Sequence, residues 1–244
     1  AAGCPVDSFL LTADRGFVLP LEEIEKKLLP HSLIYLGHPN NPDGQLLSPS
    51  DFEAVLHLAK KKESFLIIDE SFIDFVGDDV SYRRVLVNET CGAVVMSLTK
   101  FYAVPGLRIG AAFLHSALAE RLRDTLIPWN VNGLAQSYMT AAAQDLDYIK
   151  DSRGYCQTER EKLSAALEAL DFVKVLPGSV NFILCQLIGK FETAGKLQKA
   201  LMPYHIFIRQ CGNYEGLGET YFRVAVRTEE ENQILIKALG AVEN

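Results

Sequence analysis

The chain has 244 residues, of which 48% are hydrophobic and 23% are charged, and its formal net charge is −7. This length and composition suit a globular protein of one large domain or two smaller ones, and the acidic balance without a basic stripe argues against nucleic-acid binding. No apolar run is long enough to cross a bilayer and the N-terminal residues lack the layout of a signal peptide, so we expect a cytoplasmic protein whose partners are small molecules or other subunits.

In the first half of the chain, short apolar runs alternate with amphipathic stretches, as in a mainly parallel sheet flanked by helices. The predicted strands are Ser8–Leu11, Leu33–Leu36, Phe65–Ile68, Ala93–Met96 and Ile109–Leu114. Between the second and third of them, apolar residues recur at helical spacing after Ser48 and Pro49, a plausible N-cap and first-turn proline. The sequence therefore predicts a βαβ unit.

The pattern changes at about Gly133, where a long helical stretch begins. Further on, Pro177 and Gly178 interrupt the helical pattern. The remaining predicted elements are strands at Asn181–Leu187 and Tyr221–Val226 and a helix at Glu229–Leu239. We therefore divide the chain into residues 1–140, part of a large α/β domain, and residues 141–244, a smaller α+β domain.

The five cysteines lie far apart and form no C-x-x-C pair. This spacing suits neither a disulfide framework nor a zinc site, and the histidines show no ligand spacing either. We therefore expect reduced, mostly packed thiols and no bound metal.

Lys100 follows the apolar strand Ala93–Met96 closely. A single lysine at a strand end is usually a side chain that keeps its ammonium group in water. Here, however, hydroxyls at Ser97 and Thr99 flank it and Arg108 follows, so an amine nucleophile is combined with groups that bind a phosphate dianion. Because open α/β sheets bind ligands at the carboxyl ends of their strands, this segment indicates a phosphate-containing ligand.

Two further polar segments follow predicted strands. Asp69 ends the strand Phe65–Ile68, where it could pair with a protonated pyridine nitrogen and keep that ring electron-withdrawing. Alternatively, Asp69 caps the next turn or binds a metal together with Glu70. The segment from His38 to Gly44 by itself predicts only a tight turn, with His38 as a turn residue and not a catalytic base.

These three segments, in this order and spacing, resemble the fold-type I pyridoxal-phosphate (PLP) enzymes, the superfamily of aspartate aminotransferase. The resemblance implies a PLP-dependent transferase-like fold in which Lys100 carries the cofactor as a Schiff base. It also implies that Asp69 pairs with the pyridine nitrogen and that Asn41 donates to the phenolate oxygen of the cofactor. The phosphate would be held by Ser97, Thr99 and Arg108.

Residues 1–140 would then be the C-terminal part of the PLP-binding large domain. The resemblance implies a preceding segment that supplies a glycine-rich phosphate loop and an aromatic side chain stacked on the ring. No such loop is found between Ala1 and Gly37. Phe72 stands where many aminotransferases carry a tyrosine that bonds the cofactor oxygen, so Asn41 is expected to make that contact alone.

Other stretches are similar to the threonine-phosphate decarboxylases of cobalamin biosynthesis, a sister group of the histidinol-phosphate aminotransferases. They are Ser97–Gly110, Ile127–Asn132 and Ile208–Gly218. This resemblance implies that Arg223 binds the α-carboxylate of the substrate and Arg209 binds its phosphate, anions that both suit the guanidinium fork. The alternative is a surface ion pair with a neighbouring glutamate, which we favour only for Arg227.

We therefore predict the decarboxylation of a small phosphorylated amino acid, L-threonine O-3-phosphate, to aminopropanol phosphate. The family resemblance further implies a homodimer. Two alternatives stay open: an aminotransferase of the histidinol-phosphate type, and a truncated module that keeps this fold without catalysis.

Overall fold

A computed structural model of the protein describes residues 3–243, which form two sheets with flanking helices. The strands are β1 (Leu33–Gly37), β2 (Phe65–Asp69), β3 (Gly92–Ser97), β4 (Gly110–Leu114), β5 (Val173–Val175), β6 (Phe182–Leu187), β7 (Arg209–Gln210) and β8 (Tyr221–Ala225). The helices are α1 (Leu21–Lys27), α2 (Pro49–Lys61), α3 (Arg83–Leu86), α4 (Leu98–Phe101), α5 (Ser116–Thr125), α6 (Gly133–Ala142), α7 (Leu146–Glu168), α8 (Ala194–Leu201) and α9 (Glu229–Glu243).

The first sheet has the order β1-β2-β3-β4. Strands β1, β2 and β3 are parallel, and β4 runs antiparallel to β3. Helix α2 connects β1 to β2 and buries Phe52, Val55 and Ala59 in one cluster with Leu66 and Ile68. This arrangement confirms the predicted βαβ unit and the mainly parallel sheet.

The predicted strand Ser8–Leu11 is wrong, because these residues have no regular secondary structure. Phe9 packs against the cluster beneath the first sheet, whereas Leu11 packs against a different cluster that contains Phe17 and Tyr221. The two side chains thus serve separate cores. Inward-facing Phe9 and Leu11 alternate with exposed Leu10 as in a strand, but this segment pairs with no neighbouring strand among the described residues.

The second sheet has the order β5-β6-β8-β7, and all its pairings are antiparallel. Helices α7, α8 and α9 cover it with buried leucines that include Leu163, Leu197 and Leu239. These elements form the predicted smaller α+β unit. The boundary predicted at residue 140 falls inside α6 and stays a prediction.

The turn after β1 packs directly against the chain entering β6. The backbone N–H and the hydroxyl of Ser179 both donate to the carbonyl of Gly44, at 2.9 and 2.8 Å. A Cβ on Gly178 would lie 2.7 Å from the carbonyl oxygen of Asp43, so only glycine fits this approach. The contact brings the carboxyl end of β1 beside the second sheet.

Within residues 3–243, no helix combines the length and the apolar character that a membrane crossing would require. Cys156, Cys185 and Cys211 are buried free thiols, and burial raises the pKa of all three.

Candidate active site

The candidate site lies on the less buried face of the first sheet. Along β1 and β2, the side chains of Ile34, Leu66 and Ile68 point into the core. Because successive side chains of a strand alternate between faces, Tyr35 and Asp69 project from the other face. The carboxyl ends of the parallel strands therefore present their polar side chains together, as the sequence predicts.

Asp69 ends β2 and is held by neutral donors. Its Oδ1 accepts from the backbone N–H of Ser71 at 3.0 Å and from the Ser71 hydroxyl, and its Oδ2 accepts from the Tyr35 hydroxyl. The alternative in which Asp69 caps the following turn is thus confirmed for one oxygen. In the part of the chain that the structure describes, no lysine, arginine or histidine nitrogen lies within 4.0 Å of this carboxylate.

Glu70 does not share a site with Asp69. Its carboxylate accepts from the Ser81 hydroxyl at 2.5 Å and from the backbone N–H of Tyr82 at 2.7 Å. Glu70 is 1% exposed, and burial raises its pKa. The neighbouring carboxylates thus have different partners, and Glu70 stabilises the loop before α3.

Lys100 lies in α4, which begins directly after β3. The hydroxyls of Ser97 and Thr99 are 2.8 Å apart beside it. The Lys100 ammonium group is exposed and lies 5.9 Å from the ring centroid of Phe72. Among residues 3–243, no carboxylate is within ion-pairing distance of it. The Lys100 amine is therefore accessible to a ligand.

Arg108 lies at the same end of β3. Its φ of 52° places it in the left-handed region, and its guanidinium donates to the carbonyl of Pro105 at 3.1 Å. Ser97 pairs with Gly110 across β3 and β4, so Arg108 precedes by two residues the strand position that lies opposite Ser97. The predicted phosphate-binding groups are thus brought to one strand end.

Asn41 links the turn after β1 to the second sheet. Its Oδ1 accepts from the Arg223 guanidinium and, at 3.4 Å, from the Tyr214 hydroxyl. Within the described residues, its amide Nδ2 has no hydrogen-bond partner, so this donor is available to a ligand. That arrangement suits the predicted contact with a cofactor oxygen.

The turn that carries Asn41 is stabilised by two buried side chains. His38 is 1% exposed; its Nδ1 accepts from the backbone N–H of Leu47 at 2.9 Å and its Nε2 lies 2.8 Å from the carbonyl of Val80. Burial lowers the pKa of His38. Asp43 accepts from the Asn40 amide at 2.8 Å, and burial raises its pKa. These contacts support the prediction that His38 is a turn residue.

Arg209 and Arg223 lie opposite each other on β7 and β8. The Arg209 guanidinium donates to Asn213 at 3.0 Å and lies 5.7 Å from the ring centroid of Tyr214. Neither arginine has a carboxylate within 4.0 Å among residues 3–243. Arg227, in contrast, pairs with Glu231 at 2.6 Å, the surface ion pair favoured for it from the sequence.

Two aromatic rings connect the lysine to the arginines. Phe72 packs edge-on against Phe182 with centroids 5.1 Å apart, and the Arg223 guanidinium lies 4.5 Å from the Phe182 centroid. A continuous series of contacts thus runs from Lys100 through these rings to Arg223 and Asn41. These contacts connect the predicted cofactor residues Lys100 and Asn41 with the predicted substrate residue Arg223.

Sequence reasoning missed Tyr35, Ser71, Tyr214 and Phe182. Tyr35 could have been found, because strand alternation places it on the same face as Asp69. The contacts of Tyr214 and Phe182 join distant parts of the chain, and no local pattern indicates them.

Residues 1–239 match the family model for class I and II aminotransferases, and the chain belongs to that family. Membership of this family confirms the predicted fold class. Enzymes of this family depend on PLP, which confirms the predicted cofactor.

Particular relatives are decarboxylases and aminotransferases. The chain is 33% identical over 242 residues to the threonine-phosphate decarboxylase of Salmonella typhimurium, which covers 99% of the chain and 66% of that enzyme. It is also 33% identical over 242 residues to the adenosylcobalamin biosynthesis bifunctional protein CobDQ of Leptospira interrogans, covering 98% of the chain and 28% of that protein.

Among solved structures, the histidinol-phosphate aminotransferase of Clostridium acetobutylicum superimposes with a TM-score of 0.88 at 31% identity, covering 95% of the chain and 70% of that structure. The chain spans less than two thirds of the length of the two curated relatives above.

Proposed function

We propose that this chain belongs to a PLP-dependent decarboxylase that acts on L-threonine O-3-phosphate. One observation carries the proposal: among residues 3–243, Arg209 and Arg223 face each other across two strands without carboxylate partners, and Arg223 contacts Asn41 and, through Phe182 and Phe72, is connected to Lys100. Two guanidinium groups that have no carboxylate partner among the described residues match a substrate with a carboxylate at one end and a phosphate at the other.

The donors and acceptors of the candidate site fit PLP. A half-buried carboxylate with only neutral donors lacks the cation that would balance its charge, and a protonated pyridine nitrogen provides one. We assign the ring nitrogen to Asp69, the phenolate oxygen to the free amide of Asn41 and the aldehyde carbon to Lys100. The phosphate is assigned to Ser97, Thr99 and Arg108.

When bound, PLP accepts electrons from whichever bond of the substrate Cα lies perpendicular to its ring. Arg223 binding the carboxylate and Arg209 binding the phosphate would fix the rotation of the substrate at two points. In our proposal they hold the Cα–carboxylate bond, and not the Cα–H bond, in the reactive orientation. Loss of carbon dioxide would leave an electron pair on Cα, and the protonated amine of Lys100 would deliver a proton there and become neutral.

A second candidate is amino transfer of the histidinol-phosphate type, which the similarity to the Clostridium acetobutylicum enzyme favours. The same residues would then hold the Cα–H bond in the reactive orientation. For either reaction we extend the proposal to a homodimer in the cytoplasm, as the family resemblance implies.

The cofactor assignment is tested by mixing the protein with PLP, recording its visible absorbance and reducing it with borohydride. We expect a visible band and a reduced adduct on the peptide that contains Lys100. Lys100→Ala should abolish both, whereas Lys199→Ala, which removes an exposed lysine of α8, should keep both. A colourless wild-type protein without an adduct would contradict the assignment and favour a non-catalytic module.

The reaction is tested with two substrates. Release of carbon dioxide from threonine phosphate supports the proposal. Amino transfer from histidinol phosphate to 2-oxoglutarate, without release of carbon dioxide from threonine phosphate, would replace it with the aminotransferase.

A further inference from the structure

We propose that Tyr35 is a positioning residue, whose hydroxyl orients the Asp69 carboxylate toward the ring nitrogen of the cofactor. The inference rests on the function proposed above, because it presumes that Asp69 meets PLP. Tyr35 is 57% exposed on the sheet face that carries the site.

The register of the first sheet brings the two side chains together. Tyr35 pairs with Ile67 and Gly37 pairs with Asp69, so Tyr35 and Asp69 are diagonal neighbours on one face. Diagonal neighbours on a sheet are too far apart for short side chains, but aromatic ones can span the gap. The Tyr35 hydroxyl reaches Oδ2 of Asp69 in this way.

Gly37 leaves the space that this contact needs. It lies directly opposite Asp69, and a Cβ there would be 3.0 Å from Oδ1 of Asn40. The close approach of Asn40 favours glycine at this position, and no side chain therefore stands between the Tyr35 ring and the carboxylate. The sheet geometry directs Tyr35 to Asp69, and within residues 3–243 its hydroxyl is hydrogen-bonded to no other titratable group.

The Tyr35 hydroxyl completes the support of the carboxylate. Ser71 holds only Oδ1, and one held oxygen allows the carboxylate to rotate about its Cβ–Cγ bond. The second donor fixes the plane of the carboxylate. Burial and the hydrogen bond to Asp69 raise the pKa of Tyr35, so the phenol stays protonated and continues to donate at neutral pH.

A double-mutant cycle on PLP affinity tests the role. We expect Tyr35→Phe to weaken PLP binding about tenfold, as expected for a hydrogen bond to a charged group. In the Asp69→Asn background, the same change should have no further effect, because Tyr35 acts through the carboxylate. Tyr155→Phe is the matched control, since Tyr155 is 50% exposed and, in the described part of the chain, its hydroxyl accepts only from the backbone N–H of Glu229.

Equal PLP affinity of Tyr35→Phe and wild type would overturn the role of Tyr35. So would an equal loss of PLP affinity on Tyr35→Phe in the wild-type and Asp69→Asn backgrounds. A purely structural role would produce such an additive loss. If the wild-type protein binds no PLP, the proposed function itself fails.

The contact is also tested without cofactor. The difference between the alkaline absorbance titrations of wild type and Tyr35→Phe reports the ionisation of Tyr35. We expect Asp69→Asn to lower the pKa of Tyr35, because the negative acceptor is lost. An unchanged pKa would overturn the proposal even if Asp69→Asn binds too little PLP for the cycle.

Discussion

Arg223 and Arg227 lie on one short segment, yet their guanidinium groups have different partners. Arg223 contacts Asn41 and Phe182, whereas Arg227 pairs with Glu231 in the first turn of α9. Asn41 and Phe182 orient the Arg223 guanidinium, and among residues 3–243 no carboxylate balances its charge. Arg227 forms a surface ion pair, and such pairs contribute little to the free energy of unfolding.

We expect Arg223→Ala to raise the KM for threonine phosphate, or to lower kcat/KM, about 10- to 100-fold, since a charge-assisted contact to the carboxylate is lost. Arg227→Ala should leave kcat/KM within about twofold of wild type and cost at most about 1 kcal/mol of unfolding free energy. Steady-state kinetics with threonine phosphate on both variants measure these effects. Similar kinetic losses in the two would show that Arg223 has no special contact with substrate.

Buried His38 predicts how stability depends on pH. Burial lowers its pKa, so between the two pKa values the unfolded chain binds a proton that the folded protein does not. This contribution to stability is present above the unfolded value of about 6.5 and is lost as the pH falls below it.

We therefore expect the urea midpoint of wild type to fall more than that of His38→Gln between about pH 7.5 and about pH 5.5. Buried Asp43 and Glu70 have raised pKa values, which act in the opposite direction near the usual carboxyl range, and they are common to both proteins. Identical pH dependence of the two midpoints would show that His38 does not titrate differently on unfolding.

At the scale of elements, helix α2 begins where its local sequence predicts. The Ser48 hydroxyl accepts from the backbone N–H of Asp51 at 3.1 Å, and Pro49 occupies the first turn. Ser48→Ala should cost about 1 kcal/mol of unfolding free energy because the N–H loses its acceptor. His57→Ala, on the exposed side of α2, should change it by less than about 0.5 kcal/mol in a urea titration. Equal effects would mean that the cap contributes nothing particular.

The strand elements show why local pattern can mislead. Residues 33–36 and 65–68 are apolar and pair along a sheet, and the prediction of β1 and β2 is confirmed. Residues 8–11 show a similar run but pack into two clusters without a neighbouring strand. A strand needs a partner as well as a pattern, and only the tertiary arrangement supplies one.

At the scale of the whole molecule, the site depends on the junction between the two sheets. Gly178→Ala would place a methyl group 2.7 Å from the carbonyl oxygen of Asp43, so the turn that carries Asn41 would have to move. We expect a loss of about 1–3 kcal/mol of unfolding free energy and weaker PLP binding.

The control is Gly154→Ala in α7, where an added Cβ meets no atom within 4 Å. Because alanine favours helix, this variant should be neutral or gain up to about 1 kcal/mol. Loss of PLP affinity in Gly154→Ala, or its retention in Gly178→Ala, would contradict a coupling of the junction to the site. Urea unfolding and PLP titration measure both effects.

The sequence by itself determined the features that depend on short stretches of chain: the βαβ unit, the cap of α2, and the placement of Asp69 and Lys100 at strand ends. These follow from apolar spacing and turn chemistry, which act between near neighbours. Only the tertiary structure decided which polar groups meet. Asn41 and Arg223 are 182 residues apart, and their contact exists because Gly44 and Ser179 join the two sheets. Tyr35 reaches Asp69 through the register of paired strands, a property of the assembled sheet that neither strand encodes alone.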